Sequence, residues 1–222
     1  MNAKQLAGEK AVEHVKDGML LGLGTGSTVY WSILKLGDLV KKGLNIKGVP
    51  TSTNTEKLAI NLGIPLVSLS SINQLDLTID GADEANRNFE LIKGGGGALL
   101  REKMVASISR RFITVIDDTK MVTDLGEFPL PVEIIQFGWE LTLKQVSELG
   151  SKPKLRMDNN APFITDNGNY ILDCYFGKIQ DANGLKNTLN MIPGVVENGL
   201  FVNMADTIII GNKNGSVSTL YK

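Results

Sequence analysis

From residue 19 to residue 117, short apolar runs alternate with helix-patterned stretches, and this alternation constrains the fold more tightly than any other feature of the chain. The runs at 19–23 (MLLGL), 46–49, 65–69, 75–79 and 112–116 have the length and apolar content of buried strands. Between them lie a helix over about 28–42, a second helix capped by 51–55 (TSTNT) and ended by Gly63-Ile64-Pro65, and a third that opens at Ala98. An amphipathic helix over 3–16 precedes the first run. Strands alternating with helices imply a mainly parallel, doubly wound sheet. Such sheets take ligands at the carboxyl ends of their strands. The polar clusters at 24–28, 51–55, 80–83 and 117–120 each follow a strand, which favours one shared site over scattered turns.

Pro129-Leu130-Pro131 marks a change of pattern. Beyond it the order is strand 132–137, helix 139–149, strand 154–157, a hairpin through 166–169 (DNGN) into strand 170–176, helix 182–191 and strand 195–202. The Asn-Gly pair is a strong hairpin signal. The order is close to β-α-β-β-α-β, a ferredoxin-like unit. Two further runs, 206–210 and 217–220, form a last strand pair that can return to the first domain, although the sequence does not show where it docks. The expected fold is therefore α/β: a doubly wound, mainly parallel, Rossmann-like domain over 1–128 plus 204–222, and a smaller ferredoxin-like α+β domain over 129–203.

The length of 222 residues and the 42% hydrophobic content suit one large or two small globular domains. A net charge of −1 without a long basic block argues against a nucleic-acid groove or a membrane-surface patch. No apolar run approaches the roughly 20 residues of a membrane span. The polar, helix-patterned N-terminus lacks a signal-peptide apolar region, and the single cysteine, Cys174, forms no internal disulfide; both agree with a cytoplasmic protein. Cys174 lies in a strand pattern and reads as a buried structural thiol. The single histidine, His14, reads as a half-buried residue of the first helix. One His and one Cys leave almost no material for a zinc site or a Ser-His-Asp triad. Chemistry falls to carboxylates, lysines, hydroxyls and backbone amides.

Residues 93–103 read KGGGGALLREK. Consecutive glycines cost backbone entropy, so a fold keeps them where side chains would obstruct. The helix-forming ALLREK stretch makes the segment a glycine loop opening a helix, with outward N–H groups able to hold an anion. Lys93 stands at one end, and Glu102 sits just inside the helix. Ala98 and Ala106, four residues to either side of Glu102, share its face and leave room above the carboxylate. The alternative is a tight connection with a solvated helix behind it.

The loop at 24–28 (GTGST) offers the hydroxyls of Thr25, Ser27 and Thr28 at a helix N-terminus and suits a small phosphorylated ligand. Its spacing departs from G-x-G-x-x-G, and it lacks the lysine of a nucleotide P-loop. Its alternative is a turn with Ser27 or Thr28 as N-cap. Residues 80–86 (DGADEAN) place Asp80, Asp83, Glu84 and Asn86 at a strand end, where carboxylates can accept sugar hydroxyls or move protons. An Asx turn and a magnesium site are the alternatives. Lys93 can neutralise part of this charge, and Lys120 is either a phosphate-reaching point charge or a surface lysine.

Together, GTGST at 24–28, TSTNT at 51–55, DGADEAN at 80–86 and KGGGGALLREK at 93–103 resemble, in order, the ribose-5-phosphate isomerase family of the A type. The likeness spans most of 19–120, and the ferredoxin-like second half fits the same layout. It implies interconversion of D-ribose 5-phosphate and D-ribulose 5-phosphate in the non-oxidative pentose phosphate pathway. Carried over by motif, Glu102 is the proton acceptor, and Asp80, Asp83 and Lys93 share the catalytic work. Thr25, Gly26, Ser27, Thr28, Asp80, Gly81, Ala82, Asp83, Lys93, Gly94, Gly95, Gly96 and Lys120 bind substrate. The resemblance further implies a homodimer or homotetramer that needs no metal or other cofactor.

Aldose–ketose isomerisation needs a base to carry a proton between adjacent carbons through an enediolate. A carboxylate serves if partial desolvation raises its pKa toward the working pH. Lys93 and the 94–97 amides can meet the enediolate oxygen, Asp80 can assist ring opening, and Asp83 can orient hydroxyls, the last two roles being interchangeable. Phosphate held by 25–28 and Lys120 supplies binding energy remote from the reacting carbons. The rival readings are an amino-sugar-phosphate deaminase, a coenzyme A transferase, or a non-catalytic sugar-phosphate sensor. A sensor usually carries a DNA-binding module, for which the first 20 residues are too few, and does not need a glutamate beside an amide nest.

Overall fold

A computed structural model describes residues 2–222. In chain order its elements begin with α1 (Ala3–Val12), β1 (Leu20–Leu23), α2 (Val29–Lys41), β2 (Lys47–Pro50), α3 (Thr53–Leu62) and β3 (Leu77–Gly81). There follow β4 (Glu84–Ala85), β5 (Leu91–Ile92), α4 (Leu99–Ser107), β6 (Phe112–Asp117), β7 (Leu130–Ile134), α5 (Trp139–Ser147) and β8 (Lys152–Leu155). The chain closes with β9 (Met157–Asp158), β10 (Ala161–Pro162), β11 (Tyr170–Tyr175), α6 (Ala182–Asn190), β12 (Val195–Asn198), β13 (Leu200–Phe201), β14 (Thr207–Gly211) and β15 (Val217–Tyr221). Two compact units divide these elements. The first holds the chain up to Ala82 with Arg101–Met121 and Met204–Lys222, and the second holds Asp83–Leu100 and Val122–Asn203.

The first unit is built on a six-stranded sheet in the order β15-β14-β6-β3-β1-β2, parallel except for β15. Successive strand side chains point to opposite faces, and here both faces are apolar. Leu21 and Leu23 of β1 face one way and join Ala7, Ala11, Ile33, Leu36 and Ala59 from α1, α2 and α3. On the other face Val105 of α4 packs with Val49 and Leu75. This is the double winding that the alternating pattern predicts. Each fully buried leucine or isoleucine stabilises it by roughly 1.5–3 kcal/mol. The C-terminal pair docks on β6, with Thr207 beside Ile113 and Gly211 beside Asp117, and Asp206 Oδ2 accepts the Phe112 N–H at 2.7 Å.

Three expectations about the first domain change. The segment 65–69 is not a strand: only Gly48 and Leu66 bridge, and the chain turns into a 3-10 helix at Leu69–Ser71, where Ser68 accepts the Ser70 N–H. Proline at 65 removes a ladder donor, and the serine side chains compete for the backbone. Helix α1 ends at Val12, so His14 sits half-buried in the turn beyond it. Desolvation, then the nearby Arg111 charge, hold the His14 imidazole below its usual range. Finally, residues 83–100, read as part of the first domain, belong to the second unit. There β4 and β5 pair antiparallel with each other and β5 with β13, a pairing between distant segments that no local pattern announces.

The second unit contains an antiparallel sheet in the order β12-β7-β11-β8, the fourth-first-third-second arrangement of a ferredoxin-like fold. Its first strand starts at Leu130, so Pro131 lies inside the strand rather than before it. One face buries Leu130, Val132, Ile134, Leu172 and Cys174 against Val146 of α5 and Leu189 of α6. Cys174 is fully buried, and burial pushes its thiol far above the ordinary range. Glu133 and Ile171 are register partners on the opposite face. The buried Glu133 Oε1 accepts from Thr165 Oγ1 and Asn169 Nδ2 at 2.9 Å each and from Asn167 Nδ2 at 3.3 Å, which holds the 165–169 hairpin. Among the described residues no helix is long and apolar enough to cross a membrane.

Candidate active site

The polar clusters of the first unit fall at the carboxyl ends of adjacent parallel strands. Along the strand order β6-β3-β1-β2 come, in turn, residues 117–120, 80–82, 24–28 and 51–55. The chain passes from β1 to β2 on one side, while β3 lies on the other, so β1 and β3 flank the switch point where open sheets take ligands.

Asp80, 1% exposed near the end of β3, ties down the loop after β1: its Oδ1 accepts the Thr25 N–H at 3.0 Å and the Gly81 N–H at 2.7 Å. A Cβ on residue 24 would collide with this carboxylate, so only glycine fits there. Thr25 Oγ1 lies 2.8 Å from both Thr51 Oγ1 and Ser52 Oγ and 3.1 Å from Thr55 Oγ1. Ser52 also caps α3 by accepting the Thr55 N–H. The TSTNT segment is therefore a helix cap and a brace for the neighbouring loop. At the loop tip Gly26 and Ser27 are exposed, while Thr28 is buried. Thr28 stands at the N-cap position of α2 but makes no side-chain cap bond, so the capped-turn alternative lacks its hydrogen bond. The Tyr30 N–H reaches Gly26 O at 3.0 Å, and the amides before it lie at the positive end of α2. Lys120 is half-buried in the 3-10 turn after β6, and Asp117 Oδ1 holds that turn by accepting from the N–H and hydroxyl of Thr119.

Glu102 occupies the first turn of α4 and is 4% exposed. Ala98 and Ala106 are buried as well. This glutamate is not the exposed helix residue of the bland alternative.

The second unit carries Asp83, Lys93 and the glycine loop. The Asp83 N–H donates to Ile92 O at 2.8 Å, and Asp83 Oδ2 accepts the Gly95 N–H at 2.7 Å. Lys93 is 2% exposed, with Nζ 5.4 Å from the centroid of the Phe201 ring. Within the loop the Gly97 N–H donates to Gly94 O at 2.9 Å. Two of the 94–97 amides expected to meet an anion, those of Gly95 and Gly97, are thus engaged inside the unit. Gly95 and Gly96 form the exposed tip. Gly97 has φ +79°, and the Phe163 ring fills the space a side chain there would need.

The acidic cluster divides by role. Glu84 Oε2 accepts the Gly126 N–H at 2.7 Å and Glu84 Oε1 the Phe128 N–H at 2.5 Å. Asn86 Oδ1 accepts from the Asn88 N–H at 2.9 Å, an Asx turn. These two residues hold the fold, while Asp80 braces the 24–28 loop and Asp83 the glycine loop. Among the described residues no group of three or more His, Cys, Asp or Glu side chains is placed to hold a metal ion.

The family model described as Ribose 5-phosphate isomerase A (phosphoriboisomerase A) matches residues 47–215. Ribose-5-phosphate isomerase A of Bacillus mycoides is 59% identical over 216 residues, covering 97% of this chain and 98% of its own. The chain belongs to the ribose 5-phosphate isomerase A family. The Listeria monocytogenes member is 50% identical, and the match covers 100% of both chains. The solved ribose 5-phosphate isomerase from Plasmodium falciparum superposes with a TM-score of 0.96 at 42% identity, covering 99% of this chain and 98% of that one. A D-ribose-5-phosphate isomerase solved in complex with phospho-erythronic acid gives a TM-score of 0.96 at 40% identity over 100% of both chains.

Against this family background, two residues at the loops carry no signal in the sequence. Lys4 on α1 donates from Nζ to Ser27 Oγ at 2.9 Å, bringing a cation to the 24–28 loop. It sits in a polar helix whose pattern gives no reason to single it out. Arg156 contacts the glycine loop from a stretch, KLRMD, that has no motif character.

Proposed function

We propose that this chain interconverts D-ribose 5-phosphate and D-ribulose 5-phosphate through an enediolate, with Glu102 as the general base, in the non-oxidative pentose phosphate pathway. The observation that carries the reading is a glutamate only 4% exposed in the first turn of the helix that the glycine loop opens. Glu102 takes the proton from C2 of the open-chain aldose. The electron pair forms the C1–C2 double bond, and negative charge moves to O1. Glu102 returns the proton to C1 while the O2 proton passes to O1, which leaves a C1 hydroxyl and the ketose carbonyl at C2. Lys93 and the Gly96 N–H stabilise the developing oxyanion, the kind of pre-aimed donor set that is worth most away from water. Asp83, half-buried, orients the sugar hydroxyls, and Asp80 assists ring opening.

Phosphate binds at the 25–28 loop. The hydroxyls, the α2 N-terminus, Lys4 and Lys120 support that assignment, because a helix N-terminus with nearby cations favours an anion. We further assign a homodimer or homotetramer. The run from Ile135 to Leu141 exposes Phe137 by 90% and Leu141 by 63%, an apolar surface that a second copy would cover.

The test is incubation of metal-free protein with ribose 5-phosphate in deuterated water. The expected result is ketose with deuterium at the carbon next to the carbonyl. Ketose without any label, under conditions where Glu102 can exchange its proton, points to direct hydride transfer and removes the enediolate. Release of ammonia from an amino-sugar phosphate, with no ketose from ribose 5-phosphate, favours the deaminase.

A further inference from the structure

Arg156 makes more ordered contacts than an arginine at the edge of a small sheet needs. Its Nε and Nη2 grip Asp173 in a two-pronged ion pair, at 3.0 Å to Oδ2 and 2.5 Å to Oδ1. Its Nη1 donates to Gly94 O at 2.9 Å and to Gly95 O at 3.1 Å. The guanidinium carbon lies 5.8 Å from the centroid of the Phe163 ring, and Phe163 in turn packs against Gly97. Asp173 is two residues from Ile171 on β11, hence on the sheet face away from α5 and α6. That face acts as a mount: Asp173 fixes Arg156, and Arg156 fixes the loop. All of these residues belong to the second unit.

We infer that Arg156 is a positioning residue for the isomerase reaction, one that sets the direction of the glycine-loop amides. A trans peptide points its C=O and the next N–H in opposite directions. Holding Gly94 O therefore aims the Gly95 N–H, which donates to Asp83 Oδ2 at 2.7 Å. Holding Gly95 O in the same way aims the Gly96 N–H, whatever approaches it. One guanidinium thus orients an active-site carboxylate through one peptide unit and an oxyanion donor through the next. The first chain, from cation to peptide to anion, is also mutually polarising. Consecutive glycines have little conformational preference of their own, so this order has to be imposed from outside the loop. Lysine can replace the fork only in part, because a single ammonium has no planar array of donors to span Asp173 and both carbonyls.

The inference rests on the isomerase reading, and its test separates the two. Wild-type turnover of ribose 5-phosphate is measured first; its absence defeats the reading itself. With wild type active, Arg156→Met is expected to lower kcat about 100-fold, the scale of a displacement of about 1 Å at a reacting centre, with KM within about threefold. Arg156→Lys should recover part of that loss. Affinity for inorganic phosphate, which engages the 25–28 loop, should stay unchanged. Affinity for phospho-erythronic acid, whose planar carboxylate mimics the enediolate, should fall at least about tenfold. A purely structural role would weaken both ligands together or neither. Asp173→Asn, which keeps the side-chain shape, should shift kcat in the same direction and serves if the methionine variant does not fold. A folded Arg156→Met or Asp173→Asn enzyme with kcat within threefold of wild type, or with parallel losses for the two ligands, overturns the inference.

Discussion

Replacing Glu84 by glutamine separates folding from chemistry inside the DGADEAN segment. Glu84 is 4% exposed and accepts two backbone N–H groups, from Gly126 at 2.7 Å and Phe128 at 2.5 Å. A hydrogen bond to a charged group contributes roughly 1.5–3 kcal/mol, and a neutral one about 1 kcal/mol. Glutamine keeps one carbonyl oxygen and turns its NH2 toward the other N–H. One bond is lost, with a donor left facing a donor, and the second bond drops to neutral strength. The relief of no longer burying a charge offsets part of this, so the net loss is about 2–4 kcal/mol. In a domain of this size each kcal/mol lowers the thermal midpoint by roughly 2–4 °C, which centres the expected drop near ~10 °C. The assay pairs thermal unfolding followed by circular dichroism with kcat at 25 °C, where the variant is still folded. The midpoint should fall while kcat stays within about threefold. An unchanged midpoint with a collapsed kcat would refute the reasoning, because it would place Glu84 among the reacting groups rather than in the clamp on 126–128.

The remaining predictions concern the site and the single thiol. Glu102→Gln should still bind inorganic phosphate and substrate but lose about 10²–10⁴-fold in kcat, the range for a general base; near-normal turnover would remove Glu102 from its role. Lys93→Met, which keeps most of the buried volume, should lower kcat far more than it raises KM, while Lys120→Ala should mainly raise KM; matching effects on both parameters in both variants would contradict this division. Cys174 should resist thiol reagents at neutral pH in the folded protein and react only on unfolding, since burial raises its pKa and blocks access; rapid labelling of the native state would show that its strand is open to solvent.

The sequence pattern carried the fold class because its signals are local and repeated. Helix α2 fills Val29–Lys41, as the apolar spacing over 28–42 predicts, and Gly63 ends α3 in the left-handed conformation that a glycine C-cap implies. The four clusters at strand ends needed only the alternation of elements and the rule for parallel sheets. What failed locally was the run at 65–69: its apolar content suits a strand, but proline and serine give the backbone better partners elsewhere.

The candidate site was legible to the extent that its residues sit in motifs. Asp80, Asp83, Lys93, Glu102 and the 24–28 loop stand out because glycines and acids crowd together over a few residues. Glu84 and Asn86 share that crowding, and only their partners at 126, 128 and 88 show them to be structural. Lys4 and Arg156 have the opposite property: each touches one of the two glycine-bearing loops, yet neither belongs to a motif.

Taken alone, the sequence determined the order of the longer strands and helices, the double winding of the first sheet, the ferredoxin-like order of the second and the chemical inventory available for catalysis. These follow from periodicity, caps and turn residues, which act over a few positions of chain. Only the tertiary structure decided that 83–100 packs with 122–203, that β14 and β15 extend the first sheet beyond β6, and that two of the loop glycines spend their amides internally. Those choices depend on hydrogen bonds and packing between segments up to about a hundred residues apart, such as Asp206 to Phe112 at a separation of 94. The free energy of such pairings depends on both partners at once, so neither stretch of chain carries the information by itself.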